Sequence, residues 1–213
     1  MIRLAFSALL LLTLCASGPA ALGQRSGAAA ASRTQRNPSF TLTFGLAEPL
    51  SHESFTEFWL RGPVGSVSFT VDVRRSVAIG AGIDASVYYF NQTTFLEKFP
   101  NVPMHQTDIG VIDLYLMTKF MLRPRMVVSP YLTATLGASH TTGASYKIEE
   151  PLPRKIYYDI PRSTRLALGL VLGTDIVISR WLALVVEAKV SYIHNDPNIG
   201  LLAFLRGGCR LRL

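Results

Sequence analysis

Cysteine is nearly absent from the chain: Cys15 and Cys209 are the two in 213 residues. Because Cys15 lies in an N-terminal leader, Cys209 is left alone, which excludes an intrachain disulfide and a thiolate metal site. Histidine is scarce as well. His52, His105, His140 and His194 fall in four separate links without paired spacing, so no metal centre is expected. Charged residues make up 16% of the chain, against roughly 25% in soluble domains. Long apolar runs are missing too. Beyond the leader no stretch reaches the ~18 uncharged apolar residues of a membrane helix. The best rival, Leu166–Val190, is interrupted by Asp175, Arg180, Glu187 and Lys189. The net charge of +7 comes without any basic run interleaved with aromatics, which excludes a base-stacking surface and leaves no nucleic-acid partner. No glycine-rich phosphate cradle is present, and no cofactor is expected.

The N-terminus carries an address. Met1-Ile2-Arg3 is a short positive start, Leu4–Ala16 an apolar core, and Ala21-Leu22-Gly23 a small-x-small cleavage site. Residues 1–23 therefore read as a signal peptide whose apolar core is too short to span a bilayer. Leu14 is too bulky for a lipoprotein signal at Cys15. Residues 24–38, rich in Ala, Ser and Arg, are expected to form a disordered tail.

From residue 39 the dominant signal is a period of two. Leu166, Leu168, Leu170, Leu172, Thr174, Ile176 and Ile178 alternate with Arg165, Ala167, Gly169, Val171, Gly173, Asp175 and Val177. Leu182, Leu184, Val186, Ala188, Val190 and Tyr192 likewise alternate with Ala183, Val185, Glu187, Lys189 and Ser191. Such spacing places one set on each face of a strand. Eight such segments are expected, at about 39–47, 65–73, 77–89, 109–120, 128–139, 165–178, 182–192 and 200–213. A strand of ~9–11 residues with one greasy face is what a transmembrane barrel requires. Apolar, exported and without a membrane helix, the chain is consistent only if its strands are greasy on one side. The short links 74–76, 122–127 and 179–181 alternate with the long links 48–64, 91–108 and 140–163, so the long links should emerge at one end.

On this pattern, and on phrases such as SPYLTATLGAS (129–139) and GTDIVISRWLAL (173–184), residues 39–213 resemble the small eight-stranded outer-membrane barrels of the OmpA/OmpX type. The resemblance implies an all-β, eight-stranded antiparallel up-and-down transmembrane β-barrel in the outer membrane of a Gram-negative-type bacterium. It implies outer-membrane lipid and lipopolysaccharide as surroundings, and the barrel-assembly machinery as a partner. The family usually ends in an aromatic residue that this machinery reads; here the last residues are Leu211-Arg212-Leu213.

An eight-stranded bore is just wide enough for side chains to fill it. The inward phase carries Asp72, Asp84, Asp113, Asp175 and Glu187 against Lys119, Arg165, Lys189, Arg206, Arg210 and Arg212. Buried charges must pair, so these are expected to form a network that plugs the lumen. The alternative is a narrow, porin-like gated pore in which Asp113, Lys119, Glu187 and Lys189 re-pair around a water path. Tyr89, Phe120, Trp181 and Tyr192 fall where membrane-interface belts belong. In the long link 140–163, Arg154, Lys155 and Arg162 suit lipopolysaccharide phosphates, and Tyr157 and Tyr158 suit a surface partner. A lipid A-modifying enzyme is a distant reading. His194 is followed two residues later by Asp196 where a deacylase has its Ser, so no hydroxyl nucleophile is in place and no catalytic residue is expected. A lipocalin-like soluble barrel would need its greasy face inside.

Overall fold

The computed structural model describes residues 37–51, 53–98, 108–124, 126–148, 156–160, 162–194 and 199–213. The expected signal peptide, all but the last residues of the tail, and Arg154 and Lys155 lie outside the described residues. Eleven strands occur among those described: β1 (Pro38–Pro49), β2 (Trp59–Leu60), β3 (Gly62–Arg74), β4 (Val77–Phe90), β5 (Ile109–Met121), β6 (Val128–Thr141), β7 (Ala144–Ile148), β8 (Ile156–Ile160), β9 (Ser163–Val177), β10 (Leu182–Ile193) and β11 (Leu201–Arg212). Two short helices join them, α1 (Glu53–Phe58) and α2 (Gln92–Lys98).

Eight of these strands run in the order β4-β3-β1-β11-β10-β9-β6-β5, and a β4–β5 pairing closes the sheet into a barrel. Every pairing around the barrel is antiparallel. Closure removes free edges, so the backbone groups of the wall pair within it. The barrel strands are 12 to 15 residues long, enough to cross a bilayer when tilted. At one end the chain turns tightly after β3, β5 and β9. There the turns are stitched to their neighbours by Met121 N to Ser76 O (2.8 Å), Val177 N to Val127 O (2.8 Å), Arg212 N to Trp181 O (2.9 Å) and Leu213 N to Pro38 O (2.9 Å). The longer links sit at the opposite end.

Wall residues alternate as the period of two requires. Phe44, Phe69, Ile83, Leu116, Leu136, Leu168, Leu184 and Leu205 are all exposed on the outside. Their neighbours one step along, among them Thr43, Thr70, Asp84, Tyr115, Thr135 and Val185, are buried within. Among the described residues, outward positions carry no charged side chain between the rims, while buried Asp, Glu, Lys and Arg lie inside. This is the reverse of a soluble barrel. No helix among the described residues is long and apolar enough to cross a membrane.

The long links differ from the plain loops expected. The 48–64 link folds back as α1 and β2, with β2 pairing to the end of β4 through Trp59 opposite Phe90. The 91–108 link contains α2, whose first turn is capped where Asn91 Oδ1 accepts from Thr94 N (3.4 Å). The 140–163 link is shorter at both ends than expected, because β6 runs to Thr141 and β9 begins at Ser163. Between them β7 and β8 pair as a hairpin with Tyr146 opposite Tyr158. Helices of six or seven residues offer too few turns for a 3.6-residue period to stand out.

These elements cover an apolar core at the long-link end. Phe55 and Phe58 of α1, Trp59 of β2 and Phe95 of α2 meet Tyr88, Phe90, Ile109, Val111, Ile193, Leu202 and Phe204 from the strand ends. The rings pack on one another: Phe55 stacks on Trp59 (centroids 5.4 Å), and Phe58 and Phe95 meet edge to face at 5.6 Å. Lys98 Nζ to Glu57 Oε1 (2.6 Å) ties the two helices across the top.

Candidate functional site in the barrel lumen

Beneath this apolar roof the lumen is charged. Lys189 on β10 reaches across to Asp84 Oδ2 on β4 (2.6 Å) and Asp113 Oδ2 on β5 (3.3 Å). Arg206 on β11 bridges two acids, its Nη1 to Asp84 Oδ1 (2.8 Å) and its Nε to Glu187 Oε2 (2.8 Å). Nearer the turns, Lys119 Nζ lies 3.0 Å from Asp175 Oδ2. Arg210 Nη1 binds that same oxygen, while its Nε donates to Thr41 Oγ1 (2.9 Å). All eight of these ionic groups are buried. Four acids face four bases, so the tier is electrically balanced and each charge has an ionic partner. That pairing is what makes charge tolerable away from water.

Two tyrosines knit the clusters together. Tyr131 Oη donates to Glu187 Oε1 (2.5 Å), and its ring lies under Lys119 Nζ (3.4 Å to the centroid) with Arg210 on its flank (5.4 Å). Tyr115 Oη donates to Asp84 Oδ1 (2.9 Å), with Lys189 Nζ 4.6 Å from its ring centre. Each ring lies over the adjacent strand because its cross-strand neighbour is glycine. Tyr131 is opposite Gly173, where a Cβ would sit 2.5 Å from the ring, and Tyr115 is opposite Gly82, where it would sit 2.7 Å away. Any side chain at either glycine would push the tyrosine off its acid. Among Thr70, Lys119, Thr135, Glu187, Arg206 and Arg210 lies a cavity of about 10 Å³, room for about one water molecule.

The expected lumen residues separate by height. Asp84, Asp113, Lys119, Asp175, Glu187, Lys189, Arg206 and Arg210 come together as described. Asp72 is half-buried in the last row at the turn end, where the bore opens. Arg165 needs correction. It has the inward parity, opposite Ser139, but lies three residues into β9 at the mouth, and its side chain is exposed. From that height a long guanidinium reaches water, so ionic pairing below is not required of it. Arg212 is half-buried at the turn end.

Of the interface aromatics, Phe120 and Trp181 are exposed on the outer wall at the turn end, and Tyr89 and Tyr192 at the other. Tyr157 and Tyr158 lie on β8. Arg162 is exposed, with its Nε donating to Thr142 O (3.1 Å). His140, expected in a loop, stands instead on the outer face of β6, with Nδ1 2.9 Å from Thr164 Oγ1. Tyr115 and Tyr131 fall on the inward phase of their strands, and the sequence signal for their role is a glycine on the same face of each neighbouring strand. The apolar roof was missed altogether.

A closed eight-stranded wall, apolar outside and filled with paired charge, is the fold of the small outer-membrane β-barrels. Among solved structures the chain is similar to Neisserial surface protein A, with a TM-score of 0.52 and 13% identity over 84% of this chain and 97% of that one. It is likewise similar to a major outer membrane protein from Thermus thermophilus, with a TM-score of 0.57 and 13% identity over 84% of this chain and all of the other. No protein-family model matches the chain, and no curated protein is similar to it in sequence.

Proposed function

We propose that the protein spans the outer membrane as a sealed, non-conducting barrel whose work is done at its outer surface. The observation that carries this reading is the double closure of the lumen, a balanced ionic tier under an aromatic roof. A conducting path would require both the roof to leave and several buried pairs to re-form at once, each broken pair leaving an uncompensated charge. The reading is non-catalytic because Asp196 stands two residues after His194, where a hydroxyl nucleophile would be needed.

The long-link end then serves interaction. Arg154, Lys155 and Arg162 suit the phosphates of lipopolysaccharide, and the tyrosines of β8 suit a protein or glycan surface. Insertion by the barrel-assembly machinery, after removal of residues 1–23, completes the reading. Purified protein in a planar bilayer is expected to give no conductance steps above the bare membrane at high salt. Reproducible steps that vanish when the protein is omitted would overturn the sealed lumen.

A further inference from the structure

The tight-turn end bears a ring of arginine. Arg74 and Arg75 sit at the β3–β4 turn, Arg123 at the β5–β6 turn, Arg180 at the β9–β10 turn, and Arg212 at the end of β11 beside β1. The three turns that join six of the eight strands each carry exposed arginine, and the remaining pair, β11 and β1, carries Arg212 on its inward phase. All but Arg212 are exposed, and Arg212 is half-buried. Neither Asp nor Glu occurs among the described residues of the three turns, the nearest acid being Asp72, drawn half into the bore. The opposite end mixes signs: Glu48, Glu97 and Asp108 stand with Arg61 and Arg162, and Glu57 is paired with Lys98.

We propose that this ring binds the phosphates of anionic phospholipids in the leaflet that the turns meet. The inference rests on the barrel spanning a membrane, and it adds a lipid class selected at one end. Three features favour lipid over an aqueous acidic partner. First, the exposed cations are spread over the three turns that join six of the eight strands rather than gathered at one turn. Second, exposed apolar side chains lie at the same height: Trp181 is 61% exposed beside Arg180, and Leu122 is 64% exposed beside Arg123. An apolar body under a cation matches the boundary between acyl chain and headgroup. Third, the guanidinium fork binds phosphate oxygens in pairs, which gives arginine an advantage there over a point charge.

The chain reports on its own turn end. Of its two tryptophans, Trp181 lies within the ring, and Trp59 is buried under the roof. Full-length Trp59→Phe protein in vesicles of equal phosphatidylcholine and phosphatidylglycerol, with bromine on the acyl chains of one lipid at a time, reads the lipid next to Trp181. Brominated phosphatidylglycerol is expected to quench roughly two- to fivefold more than brominated phosphatidylcholine at low salt. The ratio should fall toward one as sodium chloride rises from roughly 50 to 500 mM. Replacing Arg74, Arg75, Arg123 and Arg180 by Gln should give parity while quenching by brominated phosphatidylcholine persists. Equal quenching by the two lipids at low salt, in the protein with its arginines intact, would overturn the proposal alone. Quenching by neither would overturn the membrane reading and the proposal with it. If the four-fold variant does not insert, the salt series decides.

Discussion

Arg206→Met is expected to cost about 3–5 kcal/mol of folding free energy, measured by urea titration of the protein in lipid vesicles, because one side chain serves two buried acids. Its removal leaves Glu187 to the Tyr131 hydroxyl and leaves Asp84 to Lys189 and Tyr115. Neither carboxylate can recruit bulk water beneath the roof. Adding Glu187→Gln to Arg206→Met should recover part of the loss, since it removes the acid left worst off. A loss below about 1 kcal/mol for Arg206→Met would mean that water reaches the tier, because exposed ion pairs are worth that little. The sealed lumen would then be wrong.

Leu116→Arg is expected to be the most damaging change on the outer wall. Leu116 is central in β5 and 68% exposed, flanked in register by Ala81 and Leu136. A cation at the middle of a bilayer costs ~2–4 kcal/mol on a barrel's lipid face, and ~0–1 near the interface. Ile178→Arg, at a tight turn and also exposed, should therefore be nearly neutral. The contrast between the two positions, read by the same urea titration, carries the information. If water wetted the wall, both substitutions would be mild, as surface changes usually are.

The wall was legible because its period of two is sustained through eight segments and broken only at turns. Leu166 through Ile178 could not be read in any other phase without burying Asp175 in lipid. Inward parity was also enough to name the charges. Partnership was not legible, because it depends on height and register across the bore: Lys189 meets Asp84 from 105 positions away. Asp84 and Asp113, directly opposite each other on neighbouring strands, are like charges until Lys189 is seen to reach both. Arg165 shows the same limit, with the right face and the wrong height. Strand β11 is the hardest of the eight to read from alternation, because its inner face changes character along its length, from Leu202 and Phe204 under the roof to Arg206 and Arg210 below. The roof escaped notice because it is assembled from two short helices and from strand ends far apart in sequence, each contributing a few apolar side chains.

The central claim is that acyl chains cover the Leu, Val and Ile face while ionic groups close on one another inside, and site-directed spin labelling along β10 tests it most directly. In a background with both native cysteines replaced by serine, labels placed one at a time from 184 to 190 are exposed to oxygen, which concentrates in lipid, and to a water-soluble nickel chelate. Positions 184, 186, 188 and 190 should collide often with oxygen and rarely with nickel, alternating with 185, 187 and 189, which should be shielded from both. Nickel collisions at 184 and 186 as frequent as at a label in an exposed loop would contradict it.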